Sequence, residues 1–320
     1  MSEIAETVWS QWPDLIIPPG FQKLSIADYP LDTSDLSAIT IYIPPYMTGV
    51  EYLEPIKEMS NLKIVQVPNA GYEDVLPYIH GGITLCNARG VHNASTAELA
   101  VGLAIAIKRG FPEFVRAQDQ GLWNHIRKGS LNDSKIGIVG AGSIGQTLIS
   151  YLKPYDVEIT TFSRSGANGS LTIDKLDKHL PEFDLLFLIL PLSEESKHLI
   201  NKRRLALMKD GSTLINVARG GIVDTDALVA ELNSGRIYAA LDVTDPEPLP
   251  HDHPLWKAKN TLITPHVGGD SQAFEKRGKR FVEEQLQRIA SGVDLINVID
   301  VTKLRQSIHF GGDNLFTVNT

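Results

Sequence analysis

The sequence predicts an α/β protein with a doubly wound parallel sheet and a second, smaller α/β domain. Three observations carry this expectation. From Lys135 onward six short apolar runs recur (KIGIVG, VEITTF, DLLFLIL, STLINVA, IYAALDV and TLITP), with helical segments between most of them. Buried strands alternating with helices imply a parallel sheet covered on both faces. The first hundred residues repeat the pattern more weakly, and 320 residues exceed what one core usually fills.

In chain order, AITIYIPP, NLKIVQVPN and GITLCN read as strands, each closed by turn formers. NASTAELAVGLAIAIKRG then reads as a long helix, capped by Ser95 or Thr96, ended by Gly110, and apolar enough to be buried on most sides. After the six strand runs comes a final helix over about DSQAFEKRGKRFVEEQLQRIASG, and INVIDVTKL is expected to rejoin the first domain. The tail IHFGGDNLFTVNT shows no pattern. The expected division is residues 1–98 with 290–320 as one domain and 99–289 as the other.

Composition excludes several classes. No apolar run approaches the ~20 residues that span a bilayer, so no membrane partner is expected. The start MSEIAETVWSQW lacks the basic flank and apolar centre of an export signal, and a single cysteine, Cys86, suits the reducing cytoplasm. A net charge of -8, with no basic stripe carrying interleaved aromatics, argues against nucleic acid. The densest basic cluster, KRGKR at 276–280, reads as the solvated face of a helix. Cys86 closes a strand and reads as core. His251, Asp252 and His253 sit at ligand-like spacing, but no third or fourth ligand accompanies them and no metal is expected.

KIGIVGAGSIGQTLISYL places Gly140, Gly142 and Gly145 in G-x-G-x-x-G spacing, after a strand and opening a helix. The first glycine permits the tight turn, the second lets backbone approach a pyrophosphate, and the third allows helix and strand to pack closely. The helix start offers free N–H groups and the positive dipole end to phosphates. This is the dinucleotide-binding signature of a Rossmann domain. An NAD-selective site ends its second strand with Asp or Glu, which accepts from the adenosine ribose hydroxyls. Here the strand ends TTFSRSG, so Ser163, Arg164 and Ser165 occupy that corner. Arginine's planar fork suits phosphate oxygens, which predicts a preference for NADP(H) with NAD(H) as the second choice.

Three more stretches place a polar residue just past a strand: Arg219 in NVARGGIVD, Glu247 in ALDVTDPEPLP and His266 in LITPHVGG. Ligands of doubly wound folds bind at that edge. Together, GAGSIG, LPLSEESKHLI, INVARGGIVDTDAL, the segment from ALDV to PEPLP, and TPHVGG resemble the D-isomer-specific 2-hydroxyacid dehydrogenase family over nearly the whole chain. The resemblance implies catalytic roles for Arg219, Glu247 and His266. It implies cofactor contacts from Ser143, Ile144, Pro191 and Ala218 beside the residues above, with Asp242 on the nicotinamide carboxamide. It further implies a flavodoxin-like substrate domain, whose Tyr46, Met47 and Asn69-Ala70-Gly71 contact the substrate alongside Arg219 and His266, active-site closure between domains, and a homodimer built around the long helix.

The residue types suit that chemistry. Arg219 can hold the carboxylate of a 2-oxo acid and polarise its carbonyl. His266 can protonate the carbonyl oxygen as hydride arrives, with Glu247 stabilising the imidazolium. Formate is disfavoured by Glu247, where formate dehydrogenases carry glutamine. A phosphorylated acid, as in a phosphoglycerate dehydrogenase, would want a cation in IPPYMTGVEY, which has none. Glyoxylate and hydroxypyruvate are therefore the foremost substrates. A dinucleotide-binding corepressor-type scaffold of the same fold is the alternative class. His92, ahead of the helix cap, could approach the cofactor, and Trp123 reads as a packing anchor between domains or between copies.

Overall fold

The computed structural model describes residues 6–25, 33–47 and 49–302. The chain divides into two units, Met1–Val91 with Glu275–Thr320, and His92–Phe274. The tail IHFGGDNLFTVNT and the end of INVIDVTKL lie outside the described residues.

The first unit contains β1 (Glu6–Ser10), β2 (Phe21–Ser25), α1 (Thr33–Ala38), β3 (Ile41–Ile43), β4 (Ile64–Gln66) and β5 (Thr84–Cys86). All pairings are parallel, in the order β2-β1-β3-β4-β5, the flavodoxin-like order. Sequence reading finds β3, β4 and β5 but misses the first two. β2 is a half-exposed edge strand without an apolar run, and β1 is announced by little more than Trp9, which is fully buried and stacked on Tyr42 at 4.9 Å. The returning segment does join this sheet: Ile299 N–H donates to Leu85, Asn87 N–H donates to Asn297, and Val298 bridges Cys86 in antiparallel sense.

The second unit begins with α2 (Asn93–Lys108) and α3 (Phe111–Asp119). Then come β6 (Lys135–Val139), α4 (Ser143–Leu152), β7 (Glu158–Ser163), β8 (Leu171–Thr172), α5 (Leu176–His179), β9 (Leu185–Leu188), α6 (Lys202–Leu207), β10 (Thr213–Asn216), α7 (Thr225–Ser234), β11 (Tyr238–Leu241) and β12 (Thr261–Ile263). The parallel sheet has the order β12-β11-β10-β9-β6-β7-β8, so its direction of growth reverses between β6 and β9. The six expected runs are six of its strands, and the two-residue edge strand β8 is the one missed. Alternation along β9 shows the double cover. Leu185 and Phe187 pack with Ala97 and Ala100 of α2 and Leu148 of α4, while Leu186 and Leu188 pack with Leu205 of α6 and Leu228 of α7. Each such fully buried side chain contributes about 1.5–3 kcal/mol. No described helix is long and apolar enough to cross a membrane.

Two local expectations change. Helix α2 begins before Ser95 and Thr96, with His92 at its N-cap position and no side-chain cap. Tertiary contacts set that start instead: the His92 ring stacks on Phe274 and meets the Gly269 carbonyl, and Ser95 hydrogen-bonds Ser271. The units divide before His92 and after Phe274, whereas the expected breaks fall inside α2 and near the end of α8 (Gln272–Ala290). The reason is that α2 lies on the second sheet from its first turn, while α8 is tied to the first unit through Glu275 with Trp12, Lys279 with Asp14 and Gln285 with Gln66. Trp123 is 97% exposed.

Gln285 is the polar centre of the first unit. Its amide donates to Gln66 Oε1 (2.9 Å) and to the Ile296 carbonyl (2.9 Å), and its oxygen accepts from Ile296 N–H (3.1 Å). Both glutamines are almost fully buried. Gln285→Met should therefore lower stability by roughly 2–4 kcal/mol, because it strips a partner from Gln66 and from both backbone groups of Ile296. Denaturant unfolding measures this, and a wild-type midpoint would show the network to be idle.

Candidate active site

Parallel strands end at one edge of the sheet, and the expected residues of the second unit gather there. The turn after β6 fits a pyrophosphate. Gly140 has φ +115 and a Cβ on it would meet the Ile189 carbonyl at 1.9 Å, while a Cβ on Gly145 would meet the Gly140 carbonyl at 2.1 Å. These two glycines allow β6, α4 and the end of β9 to close up. Gly142, by contrast, faces open space and heads α4, leaving the N–H groups of Ser143 and Ile144 at the helix start. One strand over, β7 ends at Ser163, whose buried hydroxyl has no partner among the described residues, followed by exposed Arg164 and Ser165. Pro191 follows β9 closely and Ala218 follows β10, the latter buried.

Arg219, Glu247 and His266 stand beyond β10, β11 and β12, which are adjacent strands. His266 Nδ1 lies 2.5 Å from Glu247 Oε1. Burial works against a charge on Glu247, but the hydrogen bond and charge of His266, a backbone hydrogen bond from Thr244 and the charge of Arg219 outweigh it. Its carboxyl is therefore held below the ordinary 4.5. With Nδ1 turned to the carboxylate, Nε2 is the imidazole atom left to exchange a proton.

The bracing of these three residues is the part sequence reading misses. Asp242, only 2% exposed, accepts at Oδ1 from Thr264 Oγ1 (2.6 Å) and Val267 N–H (3.0 Å), and at Oδ2 from Gly268 N–H (2.8 Å). Its carbonyl accepts His266 N–H at 2.7 Å. His266 sits in the left-handed region at φ +55, a conformation that persists in a non-glycine residue only where the surroundings impose it. Asn216, at the end of β10, accepts from Ala218 N–H (3.1 Å) and donates to the Arg219 carbonyl (2.9 Å), while its own carbonyl accepts Asp242 N–H (2.9 Å). A Cβ on Gly220 would fall 1.8 Å from the Thr244 carbonyl, so only glycine lets the Arg219 turn touch the segment leading to Glu247. An amide ending a fully buried strand and two glycines after an arginine were the available signals.

The first-unit candidates form their own group. Tyr46 and Met47 follow β3, and Asn69, Ala70 and Gly71 follow the neighbouring β4. Asn87 donates to the Ala70 carbonyl (2.7 Å), and the Asn69 amide lies 3.8 Å from Met47 Sδ. Among other candidates, His92 is buried against Phe274. Cys86 is fully buried and desolvation pushes its thiol up to about 11, so it is core. His253 caps the short turn after it by accepting from Leu255 N–H, and no metal-binding cluster occurs among the described residues.

A family model describing the NAD-binding domain of D-isomer-specific 2-hydroxyacid dehydrogenases matches residues 101–268. The glyoxylate reductase of Thermofilum pendens is 33% identical over 72% of this chain and 73% of its own. The D-3-phosphoglycerate dehydrogenase of Methanocaldococcus jannaschii is 30% identical over 78% of this chain, which spans 50% of that protein. Among solved structures, a family protein from Aeromonas salmonicida superposes with a TM-score of 0.80 at 26% identity, covering 92% of this chain and 99% of the other.

The bracing yields a prediction. Asp242→Asn keeps the size of the side chain but puts an amide NH₂ where an oxygen accepts a backbone N–H. The turn carrying His266 should loosen, and turnover in the assay described below should fall about ten- to a hundredfold with the fold retained, as misplacement by an ångström can do. Wild-type turnover in a folded variant would show that the turn holds without its acid.

Proposed function

This chain belongs to the D-isomer-specific 2-hydroxyacid dehydrogenase family, and we propose that it reduces a small 2-oxo acid, glyoxylate or hydroxypyruvate foremost, with NADPH preferred over NADH. The observation that carries the reading is the His266–Glu247 pair at 2.5 Å, beside Arg219, on the sheet edge whose first turn is shaped for a pyrophosphate.

Bound on the glycine turn, the reduced nicotinamide dinucleotide supplies the hydride. In this reading Arg219 grips the substrate carboxylate and polarises the neighbouring carbonyl through charge-assisted hydrogen bonds. His266 gives its Nε2 proton to the carbonyl oxygen, and Glu247 holds the imidazolium by accepting from Nδ1–H. Asp242 and Asn216 keep the histidine and arginine turns in place. In the opposite direction His266 removes the hydroxyl proton. The absence of a cation in IPPYMTGVEY favours an unphosphorylated substrate, and Tyr46, Met47, Ala70 and Gly71 remain its proposed further contacts. Phe111, Val115, Leu122, Trp123 and Ile126 are exposed apolar residues within one stretch, which supports a homodimer joined there.

A panel of 2-oxo acids offered with NADPH and with NADH, followed by loss of reduced-nicotinamide absorbance, tests the proposal. Turnover should be highest with the smallest unphosphorylated acids. Tight cofactor binding without turnover of any acid would instead favour a scaffold. His266→Gln should leave cofactor binding intact and lower turnover by ~10²-fold or more, the usual contribution of a general acid. Unchanged turnover would remove His266 from the reaction.

The lowered Glu247 carboxyl also sets a pH dependence. A depressed folded-state value stabilises the fold above the unfolded value and loses that contribution as pH falls through the folded one. The melting temperature of wild type minus that of Glu247→Gln should be fully developed just above pH 4.5 and close as pH falls below it. A gap that stays constant to the acid end of the range would mean that the charge on Glu247 contributes nothing.

A further inference from the structure

We infer that Glu195 is a specificity-determining residue for the cofactor: a carboxylate delivered to Arg164 from the loop after β9, which opposes a 2′-phosphate and favours the unphosphorylated dinucleotide. The inference rests on the reading that Arg164 meets the adenosine ribose. β7 carries no acid at its end, yet an acid reaches that corner from elsewhere. Arg164 Nη1 donates to Glu195 Oε2 at 3.4 Å, its one hydrogen-bond partner among the described residues.

The loop that brings Glu195 is built rather than loose. Ser196, 6% exposed, donates through Oγ to the Pro191 carbonyl (2.8 Å) and accepts there from Ser193 N–H (2.8 Å), while Ser196 and Lys197 N–H both return to the Ser193 carbonyl. Beyond it, His198 N–H donates to the Gly221 carbonyl (2.8 Å) and Ile200 N–H to that of Ile222 (3.0 Å). Both ends of the turn are thus fixed, and Glu195 is placed on it facing Arg164.

The charges then decide the effect. With side chains 87% and 71% exposed, the pair is weak in water, so a phosphate can take the guanidinium. The displaced carboxylate stays within a few ångströms of the phosphate and repels it. When the ribose carries two hydroxyls, the same carboxylate can accept from them, which is the task an acid at the end of the second strand performs elsewhere. Glu195 and Arg164 therefore pull in opposite directions on one corner of the cofactor.

The test is equilibrium binding of NADPH and NADH at low salt to wild type, Glu195→Gln and Arg164→Ala. Glu195→Gln should tighten NADPH about three- to tenfold, the size of one like-charge contact in water, with NADH unchanged or weaker. Arg164→Ala should weaken NADPH at least about tenfold and leave NADH nearly alone. If Arg164→Ala shifts the ratio and Glu195→Gln does not, the role of Glu195 is wrong while that of Arg164 stands. If Arg164→Ala leaves the ratio unmoved, the reading of the corner fails and the inference with it.

Discussion

A parallel sheet covered by helices on both faces leaves a chain few places to put polar chemistry. Along β9 and β10 every residue is buried, and neither face meets water. Polar groups can leave the core only at strand ends. Because the strands run one way, their carboxyl ends lie along one edge, and the reversal of growth between β6 and β9 opens a crevice there. Gly140, Arg164, Arg219, Glu247 and His266 are far apart in sequence, and this constraint brings them to that edge.

Once there, they are held by backbone as much as by side chains. Asp242 follows one strand and fixes the turn after the next, Asn216 fixes the Arg219 turn that follows its own strand, and Gly220 permits that turn to lie against Thr244. The three turns therefore form a linked series across β10, β11 and β12. A residue in the left-handed region, as His266 is, is steadied by such linkage as well as by its local N–H bond to the Thr264 carbonyl.

This explains what could be read beforehand. The second unit was legible because apolar runs with turn formers between them are the direct imprint of strands buried on both faces. The glycine turn was legible because the absence of a Cβ is visible in sequence. Edge strands β2 and β8 were not, since a half-exposed strand needs no apolar run. The start of α2 was misplaced because His92 and Phe274 fix it through space, and no local rule encodes that contact. At the site, each candidate beyond a strand could be named singly, whereas the bracing by Asp242 depends on which strands are neighbours. The Arg164–Glu195 contact was hidden for the same reason: its partners follow β7 and β9, which flank β6 in space.

The carboxylate of Asp242 reaches Val267 and Gly268 through their main-chain N–H groups, and the second contact also needs a residue without a Cβ, since one on Gly268 would lie 2.8 Å from Oδ2. Much of the information that shapes TPHVGG is thus stored outside it, in an acid one strand away. A designer who transplanted that hexapeptide into a foreign scaffold would carry over the imidazole and leave its aim behind. The smallest portable unit is a pair of adjacent strand ends, and two sequences that share the motif but differ at the distant acid should be regarded as different sites.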